Sequence, residues 1–166
     1  MRDYSKVVAT FWTGDTGKAL RRKGQEALTV GFYLMTSPHS NMLGLFYQPL
    51  LYLAHETGLG LEGASKGLRH CVEVGYCDWD ADTEMVWVRE MAKFQIAKEL
   101  KAGDNRCIGV QREYDALPNC PFLGPFFDRY AEAFHMKTRR SGEGATQAPY
   151  KPLGSQEQEQ EQEQEQ

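Results

Sequence analysis

Apolar positions along the chain fall into blocks with different periods. Residues 7–12 (Val-Val-Ala-Thr-Phe-Trp) are short, apolar and β-prone, which suggests a strand or an extended arm. Residues 16–35 read as one helix. Its later half, with Ala27, Leu28, Val30, Phe32, Tyr33, Leu34 and Met35, is apolar on nearly all sides and is expected to be deeply buried. Ser37-Pro38-His39-Ser40-Asn41 has the composition of a loop, and residues 43–47 suit a short strand.

The clearest periodicity comes next. Residues 48–57 place Leu50, Leu51, Leu53 and Ala54 at helical spacing, and Gly58 follows as a residue suited to the left-handed end of a helix. Residues 61–74 put Leu61, Ala64, Leu68, Cys71 and Val72 on one face. Glu62, Ser65, Lys66, Arg69, His70 and Glu73 lie opposite, and Gly75 closes the segment. Residues 76–80 and 85–88 are rich in aromatic and β-branched side chains and flank Ala81-Asp82-Thr83-Glu84, the pattern of a hairpin. Beyond it, residues 89–100 suit a helix. A second helix starts at the N-cap Asp104 and runs to Ala116 before Leu117-Pro118. A third amphipathic stretch carries Phe122, Leu123, Phe126, Phe127, Tyr130 and Phe134. Proline is tolerated only in a first turn, so its regular part is expected to start at Pro125.

The folded part is expected to end near Met136. Residues 156–166 alternate Gln and Glu, and nothing in that repeat can be buried to offset the entropy of ordering it. The chain thus divides into a first unit at 1–90, a helical extension packed on it at 91–137, and a disordered linker and tail at 138–166. The fold class is α+β and mainly helical.

Two short helices with a glycine turn, followed by a hairpin, make the pattern of a winged helix-turn-helix. Leu53-Ala54-His55-Glu56-Thr57-Gly58-Leu59 resembles the first helix and turn of that family. Glu73-Val74-Gly75-Tyr76-Cys77 resembles the end of its second helix and the start of its wing. Across residues 1–140 the chain resembles the N-terminal domain of phage and prophage replication proteins, the group related to DnaD-like and lambda O-like initiators. The resemblance lies in Met1-Arg2-Asp3-Tyr4-Ser5-Lys6 with Phe11-Trp12, in Tyr33-Leu34-Met35-Thr36-Ser37-Pro38 and in Met85-Val86-Trp87-Val88-Arg89-Glu90-Met91. Gly109-Val110, Leu117-Pro118 and the aromatic residues 126–134 continue it. It implies binding of DNA at or near a replication origin and recruitment of a replicative helicase or its loader.

Charge refines the expectation. The net charge is −4, yet residues 1–140 carry 18 Lys and Arg against 17 Asp and Glu. What matters for a polyanion is the local distribution. The candidate DNA-contacting residues are Ser65, Lys66, Arg69 and His70 on the outer face of the second helix, and the early run Lys18, Arg21, Arg22 and Lys23. These are phosphate-positioning groups; Gly60, Leu61, Glu62 and Gly63, which open the second helix, offer little that reads base edges. The hairpin carries Asp78, Asp80, Asp82 and Glu84, which a phosphate backbone would repel. That conflict favours a second reading, a protein-interaction adaptor on the same fold. Origin binding and operator binding by a transcriptional regulator are not separable here.

Other chemistry fails on spacing. Gly14-Asp15-Thr16-Gly17-Lys18-Ala19 lacks both the first glycine and the Mg²⁺-ligating hydroxyl of a phosphate loop. Asp78-x-Asp80-x-Asp82 has Thr83 where a calcium loop needs glycine and Arg89 where it needs glutamate. Cys71, Cys77, Cys107 and Cys120 form no zinc-ligand spacing and are expected to be reduced thiols. No enzyme and no cofactor is therefore expected. No apolar run approaches the ~18 residues of a membrane span, and the N-terminal residues show no secretion signal, so the expected compartment is the cytoplasm; the resemblance implies that of a bacterial host cell. Trp12, Trp79 and Trp87 are candidates for base stacking or core, and the aromatic residues 126–134 are a candidate surface for a homodimer.

Overall fold

In the computed structural model, which describes residues 2–142, Gly24 divides the first long apolar segment in two. Its φ of 124° and ψ of 179° lie where a side chain is disfavoured, so α1 (Asp15–Lys23) stops there and α2 (Gln25–Thr36) starts in a new direction. The single helix expected over residues 16–35 is therefore a helical hairpin. Gly31 allows the closeness, because a Cβ there would stand 2.7 Å from Leu20 Cδ1. In α2 only the stripe Ala27, Val30, Gly31 and Leu34 is buried. Leu28, Phe32, Tyr33 and Met35 are half-buried, so the deep burial expected for the whole segment is limited to one side. The strand or extended arm expected at residues 7–12 is a single turn of 3₁₀ helix, Ala9–Phe11, after an irregular arm. The buried Gln95 side chain holds that arm by its backbone, accepting from Lys6 N at 3.2 Å and donating to Lys6 O at 2.7 Å.

Next come β1 (Leu45–Tyr47), α3 (Leu50–Thr57), α4 (Gly60–Glu73), β2 (Cys77–Asp80) and β3 (Met85–Val88). The turn between α3 and α4 depends on glycine at both ends: Gly58 and Gly60 have φ of 73° and 70°. The strands form one antiparallel sheet in the order β1-β3-β2, with Leu45 opposite Trp87 and Trp79 opposite Val86.

All four residues of the central strand β3 are buried. Side chains alternate between the two faces of a strand, and here both faces are covered. Phe46, Val86 and Val88 join Leu20, Val30, Leu34, Leu53, Leu68 and Cys71 in a core with α1 to α4. Leu45, Met85 and Trp87 join Val110, Tyr114, Phe126, Tyr130 and Phe134 in a second core. The latter residues come from α6 (Asn105–Asp115) and α7 (Leu123–Phe134). The sheet is thus sandwiched between two helical layers.

The C-terminal elements differ from expectation in detail. Only α5 (Met91–Gln95) forms within residues 89–100. Asp104 caps α6, accepting from Arg106 N at 2.9 Å. α7 begins at Leu123, which leaves Pro125 within its first turn. Phe126 and Phe134 have no exposed surface and Tyr130 has 4%, so these rings pack inside this chain's own core. Residues 138–142, assigned to the linker from composition, still pack: Arg139 pairs with Asp128 at 2.9 Å, and Arg140 reaches the end of α6. The Gln-Glu repeat lies outside the described residues. Among the described residues no helix is long and apolar enough to cross a membrane.

Candidate nucleic-acid interface

The position of α4 is fixed by its inner side. Ala64, Gly67, Leu68 and Cys71 are buried, and a Cβ at Gly67 would stand 2.5 Å from the backbone oxygen of Glu26. The helix therefore lies directly on the α2 backbone, and its opposite side faces solvent. Leu61 (54% exposed) and Val72 (39%) do not share the buried face on which the spacing placed them. They lie off the axis of contact because α4 leans on α2 rather than centring on α3.

The outer side of α4 presents Glu62, Ser65, Lys66, Arg69 and Glu73. Its cations are not free. Lys66 Nζ is 4.0 Å from Glu26 Oε1, and Arg69 Nε is 3.8 Å from Glu73 Oε1. Glu73 also accepts from Lys23 Nζ at 3.0 Å, which ties the end of α1 to the end of α4. The hydrogen bond from Lys23, reinforced by the charges of Lys23, His70 and Arg69, holds the Glu73 carboxyl below the usual carboxylate range. Lys23, Lys66 and Arg69 are thus brought together, but interleaved with two carboxylates. Such exposed pairs hold weakly and are broken readily by a competing phosphate. His70 is half-buried, with Nδ1 turned inward and without a partner among the described residues, so it is not the outward-facing group expected.

Lys18, Arg21 and Arg22 are exposed and lack a carboxylate partner among the described residues. They are the unpaired cations of the predicted set. Arg21 Nη1 donates to the backbone oxygen of Trp12 at 3.2 Å, so this group is built around Trp12 rather than around α4.

The hairpin is less hostile to phosphate than its composition suggests. Asp78 accepts from Arg89 Nε and Nη2, both at 2.7 Å, and the pair pushes the Arg89 guanidinium above its ordinary value. Asp80 caps the turn by accepting from Thr83 N at 3.0 Å and Thr83 Oγ1 at 2.6 Å. Glu84 accepts from Tyr47 Oη at 3.0 Å. The signal for this was in the sequence: Arg89 follows the strand opposite Asp78, within reach across the ladder.

Among the described residues no three His, Cys, Asp or Glu side chains are grouped to hold a metal, and the four cysteines are free thiols. A cleft of about 660 Å³ between the N-terminal arm and α5 is walled by Val8, Phe11, Met35, Tyr76, Met91 and Phe94. Its polar lining includes Lys6, Asp15, Thr16, Glu90 and Lys93. Compared with known proteins, the chain matches no family model, no curated protein and no solved structure.

Proposed function

We propose that the chain is a winged helix-turn-helix protein that binds duplex DNA, with α3 and α4 as the helix-turn-helix and β2–β3 as the wing. The order β1, α3, α4, β2, β3 and the short turn Gly58-Leu59 between the helices support this reading. One observation carries it: the outer side of α4 is left uncovered with Ser65, Lys66 and Arg69 on it, while the far face of the sheet is closed by α6 and α7. The contacts α4 makes are phosphate contacts, because the first turn offers Leu61, Glu62 and Gly63 and no bidentate reader of a base edge. The biological setting we assign is replication initiation by a phage or prophage in a bacterial cytoplasm, on the resemblance given above. A replicative helicase or its loader is the partner that goes with it.

A specific observation favours a second reading. Acids and bases alternate on the outer side of α4, where Glu62 and Glu73 accompany Lys66 and Arg69. A mixed surface of this kind suits a protein partner of matching pattern, as in an adaptor or a regulator that acts through contacts with other proteins.

Fluorescence anisotropy of a labelled duplex, over roughly 50–200 mM salt, separates the two. DNA binding predicts an affinity that falls steeply with salt and is weakened in a Lys66→Ala/Arg69→Ala variant. An absence of binding at the lowest salt rules out the duplex reading and leaves the adaptor.

A further inference from the structure

Trp12 differs from the other two tryptophans. Trp87 is 6% exposed, and Trp79 gives its indole N–H to Gln48 O at 3.2 Å. Trp12 is 46% exposed. It is nonetheless held firmly. Its ring stacks on Phe32 with centroids 5.9 Å apart and planes inclined by 26°, and Phe11 meets it edge-on at 5.3 Å. Beneath it, α1 lies so close that a Cβ at Gly17 would stand 1.8 Å from Phe11 O. Fixed in this way, the ring keeps an open side that a stacking partner can reach.

The turn of α1 beside it is basic. Arg21 Nη1 donates to Trp12 O at 3.2 Å, Lys18 lies one turn earlier and Arg22 one residue later. All three are exposed, and none has a carboxylate partner among the described residues, in contrast to Lys23, Lys66 and Arg69. Behind Trp12 a shallow cleft of about 420 Å³ runs along Leu28, Phe32, Tyr33 and Thr36. Its single carboxylate, Glu56, is engaged by Tyr33 Oη and by His39 Nε2 at 2.8 Å.

We infer that Trp12 on Phe32, flanked by Lys18, Arg21 and Arg22, is a docking platform for single-stranded DNA. An unpaired base can stack on the open side of the indole while the phosphates on either side meet the cations, the combination that sequence-tolerant single-strand binders use. A base in duplex is stacked on its neighbours and cannot reach the ring, so the platform selects single strands. The choice of DNA over RNA rests on the duplex reading proposed above; the platform itself does not involve α4.

The test uses the full chain and a fluorescein-labelled oligo(dT) of roughly 12–16 nucleotides. Trp12→Ala is expected to weaken binding about 10-fold, as loss of one stacked base does, and Trp12→Phe to recover most of it. Arg21→Gln/Arg22→Gln changes exposed charges only; it should weaken binding and flatten the salt dependence by about 0.7 per cation removed. Lys66→Ala/Arg69→Ala should leave oligo(dT) affinity unchanged. If the unmodified chain binds oligo(dT) but no duplex, the α4 reading fails and the platform stands. The inference is overturned if oligo(dT) does not bind at low salt, if the Trp12 and arginine variants bind it as the unmodified chain does, if unlabelled duplex displaces it as well as oligo(dT) does, or if oligo(rU) binds more tightly.

Discussion

Gly67 rests on the carbonyl oxygen of Glu26, so close that a β-carbon would lie 2.5 Å from that oxygen and 2.6 Å from Val30 Cγ2. This contact sets the height and tilt of α4 on α2. It also sets what α4 presents outward, since the preceding residue, Lys66, is drawn to the Glu26 carboxylate. Gly67→Ala must push two backbones apart and is expected to cost about 1–3 kcal/mol, in the range of overpacking a tight core. Gly109, in the interior of α6, has nothing within 4 Å of its would-be Cβ. Gly109→Ala is expected to stabilise by ~0.5–1 kcal/mol, because alanine loses less freedom in a helix. Urea denaturation of both variants checks the pair of signs. A neutral Gly67→Ala would mean that α4 is not seated as described.

The charge network on α4 makes its own prediction. Glu73 joins Lys23 and Arg69, and so withholds two cations from any phosphate that approaches. Glu73→Gln removes the competitor and leaves the shape. Duplex affinity is expected to rise, and the slope of log affinity against log salt to steepen by roughly one to two units, as one or two further phosphate contacts form. Anisotropy titrations at several salt concentrations read both quantities. An unchanged slope would place the DNA contact elsewhere on the chain.

Much of the first unit was legible because its signals are local. The period of residues 48–57 and 61–74, the glycine at 58 and the aromatic strands of the hairpin define α3, α4, β2 and β3 within a few residues. Asp104 was legible for the same reason, as a cap acts across two residues. What escaped is tertiary. Gly24 lies inside the segment read as one helix, yet α1 ends and α2 begins there. The second covering of the sheet left a trace in Met85-Val86-Trp87-Val88, four apolar residues without alternation, the pattern of a strand buried on both faces. The pairing of Lys66 with Glu26, 40 positions away, and the exposure of Trp12 left no such trace. The sequence showed the cations but not which of them are unpaired.

Arg140, near the last of the described residues, provides another measurable consequence. Arg140 Nη1 donates to Tyr114 O at 3.0 Å, which also accepts from Leu117 N at 3.2 Å, and to Leu117 O at 2.7 Å just beyond the end of α6. Arg140 N donates to the hydroxyl of the buried Tyr114 at 3.0 Å, which itself donates to Leu123 O at 2.7 Å. Arg140→Ala takes the donor from Leu117 O and is expected to cost about 1–3 kcal/mol. A chain ending at residue 137 should lose at least as much, whereas one ending at residue 142 should keep its stability. Thermal or urea unfolding of the three proteins tests this. Equal stability of the chains ending at 137 and 142 would show that residues 138–142 contribute nothing.

The hydroxyl of Tyr33 donates to the Glu56 carboxylate, which also meets His39 Nε2 at 2.8 Å. This bridge from α2 to α3 should leave a two-sided mark on stability against pH. Burial alone would raise Glu56, but the hydrogen bonds from Tyr33 and His39 outweigh it and hold the carboxyl below its ordinary 4.5. A depressed carboxyl contributes stability above its unfolded value and loses it as pH falls through the folded one. Burial, and then the bond to Glu56, push Tyr33 from 10.0 up to about 12. For a phenol raised in this way the contribution is present below the unfolded value and is lost as pH rises toward the folded one. Tyr33→Phe removes the bridge. Its destabilisation should therefore be largest near neutrality, at the low end of the ~0.5–1.5 kcal/mol of a hydrogen bond because Glu56 is largely in water. It should shrink below pH 4.5 and again above pH 10. Tyr76, Tyr114 and Tyr130 titrate in both proteins and cancel in the difference. Urea midpoints of the two chains, measured from acid to alkaline pH, give that difference directly; a constant value across the range would show that the bridge does not form in solution.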